Sequence, residues 1–111
     1  MNVGFGNAKL AKMCTTASQR VRKLGSERAD KVLRRLDQLS AASNLAEFYT
    51  LPQARCHQLI GDKDEQFSID LDGPYRLLFE IADDPIPRLS DGGIDLSQVV
   101  TVCVLEITDT H

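Results

Sequence analysis

The stretch RCHQLIGDKDEQFSIDLDGPYRLLFEI, Arg55 to Ile81, decides the fold. From Gln66 to Leu71, apolar Phe67, Ile69 and Leu71 alternate with Ser68 and Asp70, the period-two pattern of a half-buried strand. Asp72-Gly73 is a hairpin turn signal, and Pro74 is tolerated at the first position of a following strand. Tyr75 to Ile81 reads as the returning strand, and the residues around His57 as a further antiparallel strand before the pair. A histidine, a lysine, two arginines and a tyrosine thus ride on a scaffold of alternating apolar residues.

Upstream, Val3-Gly4-Phe5 suits a short opening strand. From Asn7, Leu10, Met13, Cys14, Ala17, Val21 and Leu24 recur at the helical spacing of three and four, with an interruption at Thr15-Thr16 left open. Gly25 suits a C-cap and Ser26 an N-cap, and Glu27 and Asp30 follow where the helix dipole favours acids. A second helix, Glu27 to Ala42, turns Ala29, Val32, Leu33, Leu36 and Leu39 to one face. Residues 44–53 form a connector with a helical turn at Leu45-Ala46-Glu47. Downstream, residues 83–98 make a loop long enough to be functional. Gln98 to Thr108, apolar on both parities, reads as the central strand. The expected architecture is α+β: an N-terminal helical hairpin packed on one face of a mostly antiparallel twisted sheet of four to five strands, the other face free.

A chain of 111 residues is one domain, residues 1–111, with room for a single core. Apolar residues at 42% and charged residues at 26% exclude a disordered chain, and the apolar run Val99 to Leu105 is too short for a bilayer. The opening MNVGFGNAKLAK lacks a basic region followed by an apolar one, so no secretory signal is expected. Cys14, Cys56 and Cys103, odd in number and without CxxC spacing, read as free thiols in a reducing cytoplasm, not as a disulfide framework or a zinc site. The formal charge of −3 hides an asymmetry: residues 1–40 carry +6 and residues 41–111 carry −9. A basic half of this kind can track phosphates or form a solvated helix face.

His57 and His111 are the two histidines. Histidine is suited to proton transfer near neutral pH, yet a strand histidine is also a common hydrogen-bonded structural residue. Arg55 shares strand parity with His57 and would project from the same face of a regular strand. Arg76, among apolar neighbours, must pair with an acid or face an anion, and Lys63 lies in the polar turn GDKDEQ. No Walker loop, Gly-x-Ser-x-Gly elbow or metal-ligand cluster is present in the sequence.

The order strand, helical hairpin, strands and a closing LEITDTH resembles the RelE/HigB-type toxins of bacterial toxin–antitoxin modules, above all the HigB-like branch. The resemblance rests on the runs His57 to Lys63, Gly73 to Phe79, Asp91 to Asp95 and Asp109 to His111. It implies a RelE-like microbial ribonuclease-type fold and a ribosome-dependent endoribonuclease that cuts mRNA without a metal or cofactor. It also implies a helix-turn-helix antitoxin as partner, through which operator DNA is reached, and no membrane partner. RNA cleavage by its own 2′-OH needs a base, an acid and cations on the phosphate. The resemblance implies His57 or His111 as base or acid, Asp109 as the residue orienting a histidine, and Arg76 on the phosphate. Arg55 and Lys63 are further candidate RNA-binding cations, and Arg20, Lys23, Arg34 and Arg35 would grip RNA from the helical hairpin. Two positions differ from the branch: Ile60 stands where it has lysine, and Thr110 where it has tyrosine. An alternative reading is an interaction module of this fold with weakened catalysis, kept for antitoxin binding and operon autoregulation. A third is an RNA-binding domain that does not cleave.

Overall fold

The computed structural model describes residues 1–110. Strand β1 (Asn2–Phe5) leads into helices α1 (Ala8–Thr15), α2 (Ala17–Leu24) and α3 (Ser26–Ala41) and the single turn α4 (Leu45–Phe48). Strands β2 (His57–Gln58), β3 (Gln66–Asp70), β4 (Tyr75–Ile81) and β5 (Thr101–Asp109) complete a five-stranded sheet of order β1-β5-β4-β3-β2. The β2/β3, β3/β4 and β4/β5 pairs are antiparallel, whereas β1 runs parallel to β5. The sheet is therefore mixed, and the first and last strands are neighbours.

Local chemistry accounts for most boundaries. Asn7 Oδ1 accepts the Leu10 amide at 2.8 Å and caps α1, as Asn44 Oδ1 caps α4 by accepting the Glu47 amide at 2.9 Å. The expected first helix is two helices: Thr16 is extended (φ −101°, ψ 114°) and divides α1 from α2. Thr15 meanwhile turns its hydroxyl back onto the Ala11 carbonyl at 2.7 Å, a bond that competes with helix continuation. Gly25, at φ 80°, both ends α2 and starts α3, so the N-cap is Gly25 and not Ser26. The Asp72-Gly73 hairpin forms as expected, with Tyr75 N donating to Asp72 O at 3.0 Å.

The core lies between the helices and one sheet face. Phe67, Ile69, Leu77, Phe79, Ile81, Val102 and Val104 meet Leu10, Cys14, Val32, Leu36, Leu39, Leu45 and Phe48. Phe67 and Phe79 stack at 5.2 Å, and Tyr49 meets Phe67 edge-on at 6.3 Å. Each large apolar side chain so buried contributes about 1.5–3 kcal/mol. The geometric centre of the sheet is β4; β5 is interior but second from the β1 edge, because β1 pairs with it from outside. The face away from the helices is not bare: Ser68 and Leu78 are buried there, and Leu78 stands apart from the main core cluster.

Candidate functional site

The β3/β4 hairpin is symmetric about its turn, so its register brings polar residues into rows on the face away from the helices. Asp70 lies opposite Arg76, which lies opposite Thr108. In the adjacent row His57, Ser68, Leu78 and Glu106 follow one another across β2, β3, β4 and β5.

Asp70 is the hub of the first row. Its Oδ1 accepts Arg76 Nε at 2.9 Å and its Oδ2 faces Arg55 Nε at 3.5 Å. Arg76 Nη1 also donates to the carbonyls of Gly73 and Tyr75, both at 2.8 Å, so the turn itself holds the guanidinium. The Arg55 side chain is 77% exposed, against 24% for Arg76, so Arg76 is enclosed by the turn while Arg55 meets Asp70 from the solvent side.

Arg55 is not in a regular strand. Its φ of 45° is left-handed, an uncommon state for a residue with a Cβ. The Asp70 amide holds the preceding Ala54 carbonyl at 2.8 Å. The Arg55 carbonyl lies 3.0 Å from His57 Nδ1. A carbonyl oxygen only accepts, so this bond needs the proton on Nδ1 and leaves Nε2 as the lone-pair nitrogen of the exposed imidazole.

Behind β2, on the core side, Cys56 and Tyr49 are poor candidates for proton transfer. Burial pushes the Cys56 thiol up to about 12. Burial and the neighbouring Cys56 raise the Tyr49 phenol to about 12, against the Gln58 backbone hydrogen bond.

The structure thus joins Arg55 and Arg76 through Asp70, with His57 in the adjacent row, and places Lys63 apart from them. Lys63 sits in the 3₁₀ turn Gly61–Lys63, exposed, beyond the Gln66/Glu80 pair and so at the opposite end of the sheet from Arg76. Asp109 is in register with Tyr75, on the helix-side parity and not that of Arg76. His111 lies outside the described residues. Thr110 is held to the β3/β4 turn, its hydroxyl donating to the Pro74 carbonyl at 2.8 Å. Ile60 is 89% exposed.

Two of the expected RNA-gripping cations are corrected by burial. Arg20, 9% exposed, donates through Nη1 to the Cys14 carbonyl at 2.7 Å and ties α2 to α1. Arg35, 3% exposed, donates to the carbonyls of Asp70 and Gln53 and to Gln38 Oε1. Neither guanidinium presents a face to a polyanion in solvent. Lys23 and Arg34 are exposed, but on the helices, across the sheet from His57.

Asp70, Ser68 and Glu106 share the rows of the candidate site, and the sequence reading did not single them out. The signal for Asp70 was present: counted outward from Asp72-Gly73, the hairpin places it opposite Arg76. Among the described residues, no group of three or more His, Cys, Asp or Glu could hold a metal ion, and no helix is long and apolar enough to cross a membrane.

By architecture this is an α+β domain with helices on one side of a mixed five-stranded sheet and a histidine–arginine–aspartate constellation on the other. The family model for HigB-like toxins, RelE-like toxins of the type II toxin–antitoxin system HigB, matches residues 5–89, and the chain belongs to that family. The match includes His57, Asp70 and Arg76 and stops short of β5 and Asp109. No curated protein matches the chain. As a member, it is a toxin of a type II toxin–antitoxin system, whose partner is an antitoxin.

Proposed function

We propose that the chain is a ribosome-dependent endoribonuclease that cleaves mRNA on the sheet face bearing His57 and Arg76, by attack of the RNA 2′-OH and without a metal. The observation that carries this reading is the pairing of two arginines with one carboxylate, Arg55 and Arg76 on Asp70, in the row beside an exposed histidine. With three unit charges of which two are positive, the Asp70 hub keeps a net attraction for a phosphate, and Arg55 is its solvent-exposed cation. His57 Nε2, its tautomer set by the Arg55 carbonyl, is the nitrogen that takes the 2′-OH proton or, once protonated, supplies one to the leaving 5′ oxygen. Arg76 stabilises the charge that builds on the phosphate. Dependence on the 2′-OH makes RNA the substrate and not DNA. His111 and Asp109 remain candidates for the second proton-handling role.

A second reading, a toxin-fold interaction module with weakened catalysis, is favoured by one feature: Arg76 Nε and Nη1 already serve Asp70 and two backbone carbonyls. Induced expression of the chain without its antitoxin separates the two. The nuclease reading expects growth arrest and new 5′ ends within translated transcripts, both abolished by His57→Ala and by Arg76→Ala at equal protein level. Unchanged transcripts, with the His57→Ala chain indistinguishable from the original, would reject it in favour of the module.

A further inference from the structure

A groove of about 540 Å³ runs between α1/α2 and the C-terminal half of β5, reaching the His57 row only at its far end, Glu106. Its apolar lining is Leu10, Met13, Leu105 and Ile107, and Lys9, Arg22 and Lys23 line it against one acid, Glu106. Leu105 lies at the irregularity where the β4/β5 register shifts, between the Phe79/Val104 and Leu78/Glu106 pairs. The three cations are all exposed, and Met13, Leu105 and Ile107 are half-buried.

We infer that this groove is the docking site of an acidic amphipathic helix contributed by the antitoxin. An apolar lining with cations around it is the complement of a helix whose apolar stripe is flanked by Asp and Glu, the helix-in-groove mode of peptide recognition. The eight-residue α2 is about 12 Å long, so the seat matches a helix of two to three turns. RNA is the poorer occupant. The lining contains no aromatic ring on which a base could stack, and its interior offers methyl groups where a phosphate wants donors. The surface is also distinct from the Asp70 hub, so the antitoxin reaches the toxin without competing for Arg55 or Arg76.

The inference rests on the family's antitoxin partnership and not on RNA cleavage, so it can fail or stand independently of the nuclease reading. The test uses the full chain and its cognate antitoxin, both purified, with Kd measured by calorimetry at low and high salt. Lys9→Glu/Arg22→Glu, on exposed positions, should weaken binding about a hundredfold and flatten its salt dependence. Leu105→Lys should weaken it about tenfold or more by placing a charge in the apolar lining. The thermal midpoint of each variant alone should match that of the original chain. An unchanged Kd in both variants overturns the inference. So does a double reversal that lowers affinity for a single-stranded RNA oligonucleotide while sparing the antitoxin, or a Leu105→Lys variant that loses only self-association of the chain.

Discussion

Arg35→Ala should unfold the site's support without touching its exposed groups. Arg35 reaches from α3 to the Asp70 carbonyl at 2.9 Å, to Gln38 Oε1 at 3.1 Å and to the Gln53 carbonyl at 3.2 Å. It therefore joins the helix layer to both backbone segments that carry the Arg55–Asp70 pair. Burial lowers its pKa, as does the neighbouring Arg34 charge, and Asp70 offsets part of this, so the guanidinium is held against a desolvation penalty. A hydrogen bond from a charged donor contributes about 1.5–3 kcal/mol, and truncating one member of a buried polar set costs about 3–5 kcal/mol because its partners are left unsatisfied. That is a large share of the roughly 5–15 kcal/mol typical of a domain. Urea unfolding should show Arg35→Ala destabilised by about 3–5 kcal/mol at unchanged slope. Arg35→Lys keeps the charge but lacks the fork that serves three acceptors, so it should recover only part of the loss. A loss below about 1 kcal/mol, together with a selective fall in RNA affinity, would refute this account and restore Arg35 to the RNA surface.

Arg28 pairs with both oxygens of Asp72, at 3.1 and 3.2 Å, and lies 3.3 Å over the Tyr75 ring. Arg28→Ala should cost about 1–2 kcal/mol and speed amide exchange at Tyr75 and Leu71, the bonds closing the hairpin that carries Arg76. Alkaline pH should destabilise the fold, because burial raises Cys14 from 9.0 to about 11 and Cys56 from 9.0 to about 12, and Tyr49 rises from 10.0 to about 12. The folded state then holds protons that the unfolded state releases, so stability is full below pH 9 and falls through the window up to these values. A thermal midpoint that stays level from pH 8 to about 10.5 would contradict it. Ile60→Lys should raise the rate of transcript cleavage several-fold with no loss of stability, because the side chain replaced is 89% exposed. Equal cleavage rates would show that a cation there does not reach the phosphate.

Local sequence features carried much of this molecule into view. Alternation from Gln66 to Leu71, the Asp72-Gly73 turn and the helical spacing of Leu36 and Leu39 each act over a few residues, so their structural meaning is decided locally. The same turn carried more than was read from it: its register already paired Asp70 with Arg76. The break at Thr16 was visible only as a possibility, since two β-branched residues are tolerated in a helix and packing selects the outcome. Arg20 and Arg35 show the limit most plainly. Their spacing is that of any basic helix face, and nothing near them in sequence announces that the Cys14, Asp70 and Gln53 carbonyls will lie within hydrogen-bond reach.

By itself, then, the sequence determined the strand pair, the helix-bearing N-terminal half and the apolar core faces, and it offered His57 and Arg76 as candidate site residues. Tertiary structure decided the rest: the parallel docking of β1 on β5, the withdrawal of two arginines into the interior, and the assembly of Arg55, Asp70 and Arg76 into one hub. The physical reason is range. Periodicity and turn chemistry are set by a residue's chain neighbours, whereas charge pairing, desolvation and strand order depend on groups that only the closed fold brings within a few ångströms.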